Sequence, residues 1–182
     1  MTEPGEIPVP GVRGLEHTAD VGLEVEGRDL PQLFLRGALG AMWLVLERAP
    51  AEEYEGDGSR ATFSSAVEGR EEDVALDRRV GIPGARPLNL TEEDLPALFR
   101  SWLRALLFWE ETQGFVVTGG KLAFFPVPLC SAPDGQAFGI QARVEGVVDT
   151  GARAREIKGV TLHHLAVERR GEGWHARVIF DV

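Results

Sequence analysis

The spacing of apolar residues changes abruptly at residue 29, and this change constrains the fold more than any other feature of the chain. Upstream, Val21, Leu23 and Val25 alternate with small or acidic residues, a period of two that indicates a half-buried strand. Downstream, apolar residues recur every three or four positions from Leu30 to Val45, after Asp29, a favourable N-cap. The chain therefore predicts a strand followed directly by a core-facing helix.

A second segment also has helical spacing. Thr91 to Asp94 precedes it, with Thr91 as the expected N-cap and negative charge at the positive end of the helix dipole, and a leucine-rich face runs from Leu95 to Glu110. Most of the remaining chain has strand-like patterns, with turns expected at Gly119-Gly120 and at Arg170 to Gly173. We therefore expect an α+β fold in which two helices pack on one face of a largely antiparallel sheet.

Length and composition favour a single domain. The chain has 182 residues, 43% of them apolar, which is enough for one substantial core. Residues 1–13 contain three prolines and are expected to form a flexible tail, with the domain over residues 14–182. Residues 69–90 lack clear periodicity, so we expect a mobile insertion there. No membrane span or signal peptide is expected, which predicts a cytoplasmic protein.

The charge balance argues against direct binding of nucleic acid. With 19 basic and 29 acidic residues the formal net charge is −10, whereas phosphate neutralisation needs a basic surface. Any RNA would therefore be held by a partner protein.

The single cysteine, Cys130, excludes an internal disulfide and a multi-cysteine zinc site. The sequence also lacks a glycine-rich phosphate loop, a nucleophile elbow and a paired-histidine metalloprotease helix.

Two aspartates near opposite ends of the sequence are candidate metal ligands. Asp20 and Asp181 each lie at the margin of a strand-like run, and Asp181 precedes Val182, whose terminal carboxylate is a further candidate ligand. If the fold brings these groups together, they would form an oxygen site suited to Ca²⁺, Mg²⁺ or Mn²⁺. Acidic residues at strand ends also serve as caps or face solvent, so both interpretations remain open on the residues alone.

The histidines are weaker candidates. His163 and His164 are adjacent on an expected strand, where neighbouring side chains point to opposite faces, so they should not chelate one ion together. His17 lies three residues before Asp20 and could orient a carboxylate or bind the metal itself.

Several ordered motifs resemble those of the archease family. The resemblance covers nearly the whole chain and rests on Glu16 to Gly22, the helix after it, Leu95 to Glu110, Ile157 to His163 and Phe180 to Val182. It implies a small α+β protein that activates an RtcB-type RNA ligase in tRNA splicing and RNA repair. The implied activator promotes GTP-dependent guanylylation of the ligase and its multiple turnover, and does not itself join RNA.

The resemblance also implies particular residues. Asp20, Asp181 and Val182 match the family's metal site, with Ca²⁺ as the expected bound ion and Mn²⁺ or Mg²⁺ as possible functional ions. Lys158, His17 and His163 are the candidates for contact with the ligase and for its activation. RNA would be reached only through the ligase.

Two other functions are compatible with the sequence. A chaperone-like protein-binding module would use exposed apolar surface and would not need Asp20. A stand-alone metal-dependent hydrolase would need an activated nucleophile or general base, and the sequence shows no evident one.

Overall fold

The structure of the protein, a computed structural model, describes residues 7–16, 20–47, 53–56, 60–64, 83–128, 136–149 and 151–182. Within these ranges the helices are α1 (Leu30–Leu46) and α2 (Leu95–Gln113). The strands are β1 (Val12–Glu16), β2 (Asp20–Gly27), β3 (Glu53–Gly56), β4 (Arg60–Ser64), β5 (Pro83–Glu92), β6 (Phe115–Pro128), β7 (Gln136–Val148), β8 (Gly159–Val160), β9 (Ala166–Arg170) and β10 (Gly173–Asp181). Neither described helix combines the length and apolar character that a membrane crossing requires.

The strands form two antiparallel sheets of five strands each. The first sheet has the order β1-β2-β10-β8, with β9 also paired to β10, and the second has the order β3-β4-β6-β7-β5. The expected α+β class with two helices is confirmed, but the single expected sheet is in fact two. Periodicity identifies a strand without identifying its partner, and here strands near both ends of the chain pair with each other while the middle of the chain forms the second sheet.

Helix α1 lies at the centre of the core, because it is buried on nearly all sides and contacts strands of both sheets. Asp29 is its N-cap, as the sequence predicts, and accepts a hydrogen bond from the main-chain N–H of Gln32 at 2.9 Å. A Cβ atom at Gly37 would lie 2.5 Å from the Phe99 ring of α2. The close approach of the two helices therefore requires glycine at this position.

Phe34 joins both helices to the second sheet. Its ring packs edge to face against Phe99 of α2 at 5.0 Å and against Phe124 of β6 at 4.9 Å, measured between ring centroids. The buried indole N–H of Trp102 donates to the main-chain oxygen of Phe34 at 2.9 Å. A single fully buried residue of α1 thus carries apolar, aromatic and hydrogen-bonded contacts to two other elements.

Two expectations about irregular segments are wrong in part. Ile7 and Val9 are buried in the core, so the tail expected over residues 1–13 does not extend to its second half. Residues 83–92 form β5, which pairs with β7 along its whole length, where a mobile insertion was expected through Leu90. Prolines and glycines obscure the alternating pattern in both segments. The other residues of these segments, 1–6 and 69–82, lie outside the described residues.

The structure corrects one predicted helix cap and one predicted turn, and it confirms a second turn. Asp94, and not Thr91, is the N-cap of α2, because its carboxylate accepts from the main-chain N–H of Ala97 at 2.7 Å. The Gly119-Gly120 pair does not form a turn but lies within β6, after a bulge between Val117 and Gly119. The turn expected at Arg170 to Gly173 is confirmed, since it joins β9 to β10.

We expect Phe34→Ala to lower the free energy of unfolding by about 3–5 kcal/mol, because it leaves a cavity between two helices and a sheet. Phe34→Leu should cost less, since most of the volume is kept. Chemical denaturation of both variants measures the difference. A loss no larger than that of Phe125→Ala, which truncates a phenylalanine that is 42% exposed, would contradict this account of the core.

Candidate metal centre

The two candidate aspartates lie directly opposite each other on adjacent strands. Asp20 begins β2, Asp181 ends β10, and the antiparallel register pairs their Cα atoms. Opposed residues in such a pair project from the same face of the sheet, with Cβ atoms about 4.5–5.5 Å apart. The preceding residue of β10, Phe180, is fully buried, so the inner face belongs to the core and the two carboxylates project outward. The fold therefore places both carboxylates at one accessible corner of the first sheet.

The segment before β8 holds Asp181 from its other side. The main-chain N–H of Lys158 donates to the main-chain oxygen of Asp181 at 2.9 Å. Gly159 is the register partner of Asp181, and a Cβ atom at Gly159 would lie 3.6 Å from Oδ2 of that aspartate. The carboxylate thus lies next to Gly159, where no side chain shields it.

Lys158 places a positive charge at the same corner. Its Nζ donates to the oxygen of Val182 at 3.1 Å, and its side chain is exposed. The structure therefore brings together Asp20, Asp181, Val182 and Lys158, four of the residues that the resemblance implicates. In this arrangement Lys158 already uses one acceptor position of the Val182 oxygen, so it competes with any cation for that ligand.

The donor set fits a hard divalent cation in an open site. Two carboxylates and one further oxygen are the ligands that such ions prefer, but Ca²⁺ takes roughly six to eight oxygens. The described part of the chain contains no group of three His, Cys, Asp or Glu side chains that could hold a metal. Directly opposed like charges on a sheet are also unfavourable without a counterion. Asp20 and Asp181 would therefore hold an ion whose remaining ligands come from water or from another molecule.

The histidines have different positions from those expected. His17 lies outside the described residues. His163 and His164 lie in the turn between β8 and β9, not on a strand, and their ring centroids are 3.9 Å apart. The main-chain N–H of His163 donates to the side-chain oxygen of Thr161 at 3.2 Å. The prediction that the two rings point to opposite faces is therefore wrong. It assumed one strand through His163 and His164, whereas these residues form the turn that separates β8 from β9.

A separate charged cluster lies further along the outer face of the first sheet, beyond the apolar pair of Gly22 and Ile179. Glu24, four residues after Asp20, forms an ion pair with Arg13 and lies opposite Arg177 of β10. The hydrogen bond from Arg13 lowers the pKa of Glu24 below its ordinary value of 4.5. Partial burial opposes this shift, and the charges of Arg13 and Arg177 add to it. Glu24 is therefore neutralised by neighbouring cations and is a poor third metal ligand.

A cleft of about 440 Å³ borders this corner of the molecule. Lys158 and Gly159 form one wall, Leu88 and Leu90 of β5 form another, and one flank of α2 completes it. Sequence reasoning missed this cleft, because it assigned the apolar residues of α2 to the core and gave residues 83–90 no regular structure. One residue of the sequence could have indicated the cleft: Phe108 is a large apolar residue that lies between Arg104 and Glu111 on the polar side of the helix.

Comparisons with known proteins agree with the fold. The sequence model of the Archease protein family matches residues 52–182. "Protein archease" of Methanothermobacter thermautotrophicus is 28% identical over 172 residues, covering 94% of this chain and 99% of the relative. "Protein archease" of Methanosarcina acetivorans is 26% identical over 171 residues, covering 92% and 93%. The solution structure of a Methanobacterium thermoautotrophicum protein superposes with a TM-score of 0.58 at 22% identity, covering 94% of this chain and 99% of that one.

We expect Ca²⁺ to stabilise the protein and Asp181→Asn to abolish that effect, because the substitution removes a charged ligand. An ion at about 100 times its Kd would add roughly 2.7 kcal/mol to the free energy of unfolding. Thermal unfolding with Ca²⁺ and with a chelator measures this. Glu26→Gln is the matched control, since Glu26 is an exposed carboxylate on the same face of β2. An equal Ca²⁺ effect on Asp181→Asn and wild type would contradict the site.

The ion pair of Glu24 generates a pH-dependent prediction. Because its folded-state pKa is lowered, the pair stabilises the protein above the unfolded pKa near 4.5, and this contribution is lost as the pH falls through the lower folded value. Glu24→Gln should therefore cost up to about 1 kcal/mol at neutral pH, since Arg13 is largely exposed, and less in acid. Denaturation of wild type and variant across this range tests the sign. A cost that grows in acid would refute it.

Proposed function

The chain belongs to the archease family, and we propose that it is a metal-binding accessory protein that activates an RtcB-type RNA ligase in tRNA splicing and RNA repair. In this proposal it promotes the GTP-dependent guanylylation of the ligase and its multiple turnover. The observation that supports the proposal most is the register pairing of Asp20 with Asp181, beside Lys158 and Val182.

The open geometry suits an ion that is shared with a partner. Asp181 is exposed and Asp20 is half-buried, and together they supply two negatively charged ligands, so most of the coordination sphere is left to other donors. When bound, a divalent ion would supply positive charge to neighbouring phosphate oxygens of the ligase nucleotide. The cation could be Ca²⁺ in the resting protein and Mn²⁺ or Mg²⁺ during activation.

Lys158 has a separate role in this proposal. Its ammonium group lies at the same corner as the carboxylates and is exposed, so it can leave Val182 and contact an anionic group of the ligase or its nucleotide. His163 lies in the exposed turn that follows β8 and is a second candidate for contact with the ligase. His17 is retained as a third from the sequence resemblance alone.

Charge supports an interaction with the ligase and not with RNA directly. The formal charge of −10 repels phosphate but complements the basic channel that an RNA ligase needs. Such complementarity mainly accelerates encounter and sets the orientation of the partners. We therefore propose that the protein acts as a non-catalytic activator that contacts the ligase. The cytoplasmic location predicted from the sequence is kept as part of this proposal.

The proposal predicts that Asp20→Ala and Asp181→Ala each reduce stimulation of ligase guanylylation about tenfold or more at limiting Mn²⁺, with little loss of fold stability. Both side chains project away from the core, so the apolar faces of the helices are unaffected. Lys158→Ala should reduce stimulation without weakening metal binding, because Lys158 is not a metal ligand and its Nζ competes with the cation for the Val182 oxygen. The assay follows incorporation of labelled GTP into the ligase, paired with metal titration, and Glu26→Ala is the matched control.

Three measurements separate the alternatives: the guanylylation assay, an aggregation assay with unrelated proteins, and a turnover assay on the purified protein alone. Normal stimulation by both aspartate variants would refute the metal-dependent role. Suppression of aggregation of unrelated proteins that is equal in wild type and in Asp20→Ala would favour a chaperone-like binding module. Hydrolytic turnover by the purified protein alone would favour a stand-alone metal-dependent hydrolase.

A further inference from the structure

The cleft beside the candidate metal centre has the chemistry of a protein-docking site. It lies between one flank of α2, the edge of β5 and residues 157–160, and its volume is about 440 Å³. Its walls combine aliphatic side chains such as Leu88 and Leu90 with the aromatic rings of Phe108 and Trp109. Because Lys158 and Gly159 belong both to this wall and to the metal corner, a ligand in the cleft would lie next to Asp181.

Phe108 is the residue that most needs an explanation. Its side chain is 57% exposed although it lies on a helix whose opposite face is fully buried. Arg104, one helical turn earlier, also lines the cleft. Exposed aromatic and arginine side chains in a concave surface are the residues that contribute most to protein–protein binding. The pair therefore marks the centre of the expected contact.

The charge of the cleft differs from that of the whole protein. Arg104 and Lys158 place two cations in its walls against one carboxylate, Glu111, whereas the chain as a whole has a formal charge of −10. Lys158 also donates to the Val182 oxygen, so Arg104 is the cation that the cleft offers without a competing partner among the described residues. Within the described part of the chain, Arg104 forms no ion pair. A ligand with carboxylates and apolar side chains would complement both properties of the cleft.

Strand β5 offers main-chain hydrogen bonds beside the cleft. It is the last strand of the second sheet and pairs only with β7 among the described strands. Pro87 has no N–H, so its main-chain groups must point away from β7. The same alternation directs the main-chain groups of Asn89 and Thr91 toward the edge of β5 that pairs with no described strand. An extended segment could therefore pair with this edge, as in β-strand addition.

We infer that this cleft docks an extended segment of a partner protein that carries acidic residues and a large apolar side chain, the latter packing against Phe108. The identity of the partner as the RNA ligase rests on the proposed function. Phe108 and Arg104 are not among the candidate metal ligands, although Lys158 and Gly159 border both surfaces, so substitutions at Phe108 should separate affinity for the ligase from activation of the ligase.

The test compares Phe108→Glu with Phe125→Glu in the full-length protein. Phe125 is a comparably exposed phenylalanine on β6, next in the chain to Phe124, which faces the core. We expect Phe108→Glu to raise the Kd for the ligase at least tenfold, with unchanged Ca²⁺ affinity and stimulation restored at high concentration. Phe125→Glu should change the Kd less than twofold. Equal Kd values for wild type and Phe108→Glu would overturn the docking site while leaving the proposed function intact.

Two further measurements test the chemistry of the docked segment. Arg104→Glu should weaken binding and reduce its dependence on salt, and a photo-crosslinking residue at position 108 should label a ligase peptide that contains Asp or Glu. A labelled peptide without acidic residues would overturn the inference, and so would a Phe108→Glu effect confined to self-association in light scattering. If wild type binds no ligase at all, the proposed function fails, and the docking site fails with it.

Discussion

The pairing of β2 with β10 is the interaction on which the candidate site depends, because it joins segments that are about 150 residues apart in the chain. Eight consecutive pairs run from Gly27 and Trp174 to Asp20 and Asp181. A shift of one residue would turn every side chain of a strand to the other face. Val178 and Phe180, fully buried on the inner face, disfavour such a shift, so the packing of the core also holds the two carboxylates opposite each other.

The residues that stabilise the fold are different from those of the candidate metal site. The inner face of the first sheet packs with α1, and Phe34 of that helix reaches both α2 and the second sheet. The aspartates lie outside this packed region, at a corner that water and other molecules can reach. Two opposed carboxylates contribute little to the stability of the fold, and they repel each other when no cation lies between them. A locally unfavourable arrangement of this kind is expected at a binding site.

Residues 157–160 connect the two surfaces on which the proposals rest. Lys158 and Gly159 hold Asp181 through the main chain and also line the cleft beside α2. A segment in the cleft would therefore lie next to the metal corner. In the two proposals taken together, Phe108 contributes affinity for the partner and the carboxylates hold the ion.

Local sequence patterns determined the helices, the Asp29 cap, the turn at Arg170 to Gly173 and the acidic residues at the strand margins, because each depends on side chains within a few residues of one another. Motif order also identified the family. Only the tertiary structure decided that there are two sheets, that Pro83 to Glu92 is an edge strand, and that Asp20 faces Asp181. All three features depend on pairing between segments that are distant in the chain. Burial of a shared core selects this pairing, and the residue pattern of one segment does not reveal its partner.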